Sequence, residues 1–242
     1  MKKSIVLTIM VFCFLNNGNA QFGKLLDKAK SEGEKILSKD DQGLDIAGGL
    51  KEALDNGVKE AVNTLSEENG YYSSPYKILI PKDAQKIINK IKIVPGFQNV
   101  EEELLSKMNQ AAELAAKKAT VIFVDAIKNM QFNDAKEILF GQEDAGTRYL
   151  ETSSRKTLYS EFMPIIQSAL TEVNATKYWN SVVTKYNALP LTKDLNPDLD
   201  DHVNSKALDG LFELIQVKEN GIRNDIGQRS SPLLKDVFGQ LD

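Results

Sequence analysis

Asn109, Glu113 and Asp125 stand in MNQAAELAAKKATVIFVDAIKNM (residues 108–130), a stretch that otherwise reads as a helix apolar almost all the way round. A carboxylate in such a setting has two uses. It can serve as a general base, or it can be paired inside a bundle and fix how the helices pack. Counting in fours puts Leu105, Asn109 and Glu113, then Ala116, Thr120, Val124 and Ile127, on nearly one line, so Asn109 and Glu113 face inward. A buried, ionised carboxylate is costly without a cation, which gives Glu113 an expected cationic partner. Asp125 has Lys128 and Asn129 three and four residues on, and these draw it toward solvent. The chain has four arginines, Arg148, Arg155, Arg223 and Arg229, against 26 lysines. Where lysine is the default surface cation, arginine points to places that need its planar fork. Arg148 in EDAGTRYL, and Arg223 beyond the apolar face Leu208, Leu211, Phe212 and Ile215, are the expected partners of Glu113 and Asp125. Glu219, four residues before Arg223, is a local competitor.

Other chemistries find little support. The one histidine, His202, excludes zinc sites built on histidine pairs. Around it, DLNPDLDDHV spaces Asp194, Asn196, Asp198 and Asp200 like the first ligands of a calcium loop. That loop needs glycine at its sixth position and glutamate at its twelfth, where Leu199 and Ser205 stand, so acids at the start of a helix are the simpler reading. No phosphate-cradling glycine loop, no Gly-x-Ser-x-Gly elbow and no Ser-x-x-Lys pair is present, and no cofactor is implied. The tyrosines and Trp179 read as the edge of a core rather than as a stacking platform.

The elements that must position these residues are helices. Leu44, Ala47, Leu50, Leu54, Val58, Ala61, Val62 and Leu65 mark one buried face, stopped by Asn69-Gly70. Residues 71–80, aromatic and β-branched, form the one extended segment and end at Pro81. Helices are then predicted over about 81–93, 100–130, 133–141, 143–151, 154–172 with a bend at Pro164, 175–188, 199–222 and 232–238. The fold class is all-α, a single bundle of about eight helices around one long central member.

The N-terminus reads as an export signal. Lys2 and Lys3 precede the apolar run Ile5–Leu15, and Gly18-Asn19-Ala20 offers a small-residue exit before Gln21. The run is too short to span a bilayer, which needs about 20 residues, so no transmembrane span is expected after cleavage. Cys13 follows Phe12, where a lipoprotein signal places a small residue, so no lipid anchor is expected either. It is also the only cysteine, and the mature chain then has no thiol or disulfide chemistry. Loss of two lysines makes the formal charge of −4 more acidic, which argues against nucleic acid as a partner. The expected organisation is residues 1–20 signal, 21–43 an amphipathic arm and linker, and 44–242 one helical domain.

The segments GLKEALDNGVKEAV (49–62), NGYYSSPYKILIP (69–81), MNQAAELAAKKATVIFVDAIKNM (108–130), DAKEILFGQEDAGTRYL (134–150), ALDGLFELIQVKENGIRND (207–225) and LLKDVFG (233–239) resemble, in order, an uncharacterised family of exported bacterial proteins that carry domain of unknown function 4197. The resemblance covers about residues 43–239 and implies a single helical domain of the cell envelope with no activity to carry over. It also implies that Asn109, Glu113, Asp125, Arg148 and Arg223 are among the family's shared polar positions.

These observations lead to a non-catalytic helical envelope protein that binds an envelope protein or a small molecule, with those five residues as a structural network or a ligand site. The alternatives are a polar cleft that binds or hydrolyses a small molecule through Glu113 as general base, and an apolar-ligand carrier whose alanine-rich helix lines a pocket.

Overall fold

Asp45 begins the first helix by accepting the Gly48 N–H at 2.8 Å, which satisfies one of the donors a helix start leaves free. The computed structural model describes residues 44–93, 95–172, 174–188 and 198–242. The expected signal, the arm 21–43 and the loop residues Asp194 and Asn196 lie outside the described residues. Those described form nine α-helices and no strand. In chain order they are α1 (Ile46–Ser66), α2 (Lys82–Ile91), α3 (Val100–Ala116), α4 (Ala119–Asn129), α5 (Phe132–Leu139), α6 (Ala145–Glu172), α7 (Ala175–Asn187), α8 (Leu199–Asn224) and α9 (Pro232–Phe238). Asp45–Asp242 pack as one unit.

α1 buries Ile46, Leu50, Leu54, Val58, Ala61 and Leu65, one face at helical spacing. That face packs on α8, α4 and α5. α6 lies against α8 and α3, so α1, α6 and α8 surround the core with α3 and α4 between them. Phe123 of α4 meets Phe212 of α8 edge to face, with ring centres 5.5 Å apart. The last helix opens as its sequence predicts: Ser231 Oγ accepts the Leu234 N–H, and Pro232 occupies the first turn, where no donor is needed.

Two boundaries differ from expectation. The apolar run 100–130 is divided by a turn at Lys117–Lys118, which carries no glycine or proline. Tertiary packing decides it: beyond the turn Ala119, Phe123 and Ile127 are buried, and α4 packs on α1 and α6. The predicted gap between 151 and 154 is absent, because Ser153 and Ser154 turn their hydroxyls back onto their own helix, to Tyr149 O and Leu150 O. Pro164 stands inside α6 as expected, and Asn204 of α8 donates to Tyr159 O, five residues before it.

Residues 71–80 make no sheet. They form turns to Tyr76 and then carry no regular structure over Lys77–Ile80. Asn69 takes a left-handed φ of 62° at the exit of α1. Gly70 is required next to it, since a Cβ there would lie 2.4 Å from Thr64 O.

Candidate functional site

The segment 69–80 is non-helical backbone packed into a helical protein; its turns pair some of its polar groups, such as Ser73 N–H with Asn69 O and Ser74 N–H with Tyr71 O, and side chains take others. α3 supplies two of them. Asn109, fully buried, accepts the Ile78 N–H through Oδ1 at 2.8 Å and donates through Nδ2 to Ile78 O at 3.0 Å. One amide thus takes the place of a neighbouring strand. Its second Nδ2 hydrogen reaches Leu105 O at 2.8 Å, within its own helix. One turn on, Glu113, only 8 % exposed, accepts the Tyr71 N–H at 3.3 Å. Burial raises the Glu113 pKa, the backbone N–H groups of Tyr72, Tyr71 and Asn69 pull it down, and the charge of Glu68 pushes it up again.

α8 holds the other side of the same segment. The Tyr71 hydroxyl, fully buried, donates to Ala207 O at 2.7 Å. Burial raises its pKa well above 10.0, and the Glu113 charge adds to the shift, so it stays a neutral donor. His202 Nε2 donates to Leu79 O at 2.8 Å. Gly210 leaves room for the loop, since a Cβ there would lie 3.0 Å from Tyr76 Cβ and 3.1 Å from the Tyr71 ring.

A second buried cluster lies further along α8. The Glu219 carboxylate accepts Gly146 N–H at 2.9 Å, and Thr147 N–H and Thr147 Oγ1–H at 2.7 Å each, so it caps the start of α6 from another helix. Arg223 Nε donates to the same carboxylate at 3.0 Å. Its Nη1 and Nη2 each donate at 2.9 Å, to Leu139 O and Ile138 O, the last carbonyls of α5. The acid therefore sits at the positive start of one helix and the cation at the negative end of another, the favourable arrangement for both dipoles. Both side chains are 4 % exposed. Arg229 repeats the motif at the end of α8: it donates to Ile222 O and Arg223 O and forms a two-pronged pair with Asp242 at 2.7 Å.

The five residues singled out from the sequence therefore do not form one network. Asn109 and Glu113 belong together, and Arg223 belongs to the second cluster. The pairing expected for the arginines is corrected: Glu219 captures Arg223, and Arg148 is exposed, bonded to Asp144 and Gln142 at 2.8 Å. Asp125 is exposed on α4. Arg148 borders a charged cleft of about 330 Å³ with Arg155, which pairs with Glu151 and Asp209. Tyr71, Thr147, His202 and Arg229 were not among the five. The scarcity of arginine was the one sequence signal for Arg229, and the turn that Tyr71 anchors left none.

Of five surface clefts, none is lined by Asn109, Glu113, Glu219 or Arg223. Ala111, Ala112, Ala115, Ala116 and Ala119 are fully buried and line none of the five either. Among the described residues, no group of three or more His, Cys, Asp or Glu side chains is gathered as a metal site requires. No helix among them is long and apolar enough to cross a membrane.

The fold defines an all-α bundle whose buried polar side chains close backbone ends. The chain belongs to the family described as protein of unknown function (DUF4197), whose family model matches residues 41–239. No curated protein and no solved structure matches it.

Proposed function

We propose that this protein is an exported component of the cell envelope that works as a non-catalytic helical binding domain. The observation that carries this reading is the commitment of its best chemical groups. Asn109, Glu113, Glu219 and Arg223 all bond to main-chain atoms, and Glu113 has the Tyr71 N–H where a general base would hold a substrate proton. The signal-like residues 1–20 support export, and the acidic net charge argues against nucleic acid as the partner.

Two measurements test it. Fractionation of cells expressing the full chain with a C-terminal tag is expected to find it in the envelope fraction, with a new N-terminus at Gln21. An unprocessed cytoplasmic chain would overturn export. Purified protein assayed on ester, amide, phosphoester and glycoside substrates is expected to show no turnover that depends on Glu113. A rate lost by about 100-fold or more in Glu113→Gln, the loss typical of a missing general base, would overturn the non-catalytic reading.

A further inference from the structure

α7 is amphipathic: Ala175, Trp179, Val182 and Val183 face the core, and the opposite face forms one wall of a cleft of about 610 Å³. Phe97 and Thr171 complete the cleft from the other side. Its composition is unlike the rest of the surface. The chain is acidic overall, and each of the other four clefts described has at least one carboxylate in its lining. Among the described residues this one has none, and it has two lysines, Lys177 and Lys185. Among the described residues neither lysine forms an ion pair.

The positive character has a second source. The N-cap of α7 is Asn174 in the left-handed region at φ 59°, its side chain makes no capping bond, and the positive end of the helix dipole lies at the Lys177 end of the cleft. Between the lysines the lining is hydroxyl and amide. Ser181 already donates its hydroxyl hydrogen to Lys177 O, and Thr171 donates to Gln167 O. Their oxygens are left as acceptors for hydrogens on a ligand, and the amide of Asn180 can both give and take. Phe97 adds one half-buried aromatic face to the wall.

An anion alone has no use for that row of acceptors, and a neutral sugar none for two unpaired lysines. We propose that this cleft binds an anionic saccharide, with its carboxylate or other acidic group at Lys177, near the positive end of α7. Its ring hydroxyls lie along Asn180 and Ser181, and one apolar ring face rests on Phe97. Lys177 and Lys185 stand about 12 Å apart along the helix axis at 1.5 Å per residue, a span that a short oligosaccharide covers. The inference rests on the reading of this chain as a binding domain and names the ligand class.

The test uses trigalacturonate and its fully methyl-esterified form, which share a skeleton and differ in charge, titrated into the 15N-labelled protein. Trigalacturonate is expected to shift the amides of residues 174–185 and of Phe97, with a Kd below about 1 mM. The methyl ester is expected to bind more weakly. The double variant K177A/K185A should weaken trigalacturonate about tenfold, the order expected for two exposed charge pairs, with an unchanged melting temperature. Phe97→Ala should weaken both sugars. Equal binding of the two sugars, equal shifts with inorganic phosphate, or affinity unchanged in K177A/K185A would each overturn the assignment. Shifts confined to another surface would sink this cleft and leave the binding-domain reading standing. Cleavage of the sugar would instead strike at that reading itself.

Discussion

The carboxylates of Glu113 and Glu219 are both buried on core helices, and both are spent on backbone N–H groups of a neighbouring segment, yet they are compensated in different ways. Glu219 has Arg223 beside it, the Thr147 hydroxyl, and the positive start of α6. Glu113 has the amides of a turn and Asn109 one turn before it, with no arginine in contact. The general expectation that a buried carboxylate takes a cation therefore holds for one and fails for the other. A turn that aims several N–H groups at one point gathers enough partial charge to stand in for a cation. The penalty remains visible, because burial still raises the Glu113 pKa.

The comparison breaks most sharply at Arg223. Arg223→Ala leaves Glu219 as an unpaired buried charge and frees the last two carbonyls of α5. It should lower stability by about 3–5 kcal/mol in urea unfolding. Asn109→Ala orphans both main-chain groups of Ile78 and is expected to cost about 2–3 kcal/mol, with faster hydrogen exchange at the Ile78 amide. Glu113→Gln keeps an oxygen for the Tyr71 N–H and removes the charge, so it should change stability by less than about 1 kcal/mol at neutral pH.

The same variant sharpens the contrast with pH. Because the folded state raises the Glu113 pKa above its ordinary 4.5, the native protein binds the proton more tightly than the unfolded chain. That contribution is fully present below 4.5 and is lost as pH rises through the folded value. The stability of wild type relative to Glu113→Gln should therefore rise on acidification from neutral pH toward 4.5, as read from paired melting curves. A gap that is flat with pH would mean that the turn amides compensate the charge completely. The smallest effect belongs to Arg148→Ala, an exposed pair with Asp144, where unfolding free energies from denaturant curves should differ by no more than about 0.5 kcal/mol.

Much of this architecture was legible beforehand. Helical spacing identified the buried face of α1 and the inward line of Asn109 and Glu113, since periodicity reports which side of a helix meets the core. It does not report what waits there. The partner of Glu113 is main chain, which is the same at every residue and leaves no mark in residue identity. Glu219 and Arg223 were readable as an i, i+4 pair, but their role at the ends of α5 and α6 depends on how three helices meet. The break at Lys117–Lys118 and the unbroken passage at Ser153–Ser154 both run against local preference, the first decided by burial beyond the turn and the second accompanied by hydroxyls bonded back to Tyr149 O and Leu150 O. The cleft on α7 escaped notice for a similar reason: its lysines and hydroxyls look like any solvated helix face until Phe97 is brought across from another part of the chain.

One feature of α8 reaches beyond stability. This helix supplies Ala207 O to Tyr71, a partner 136 residues away, Glu219 to Thr147, 72 residues away, and Arg223 to Leu139, 84 residues away. Helical proteins tend to fold quickly because most of their contacts are local in sequence. Here Asn109 and Glu113 of α3 hold one side of the loop 69–80, but the bonds that hold its other side and join α5 to α6 await a segment near the end of the chain. The end of α5 and the start of α6 therefore emerge open, and they close only when α8 arrives.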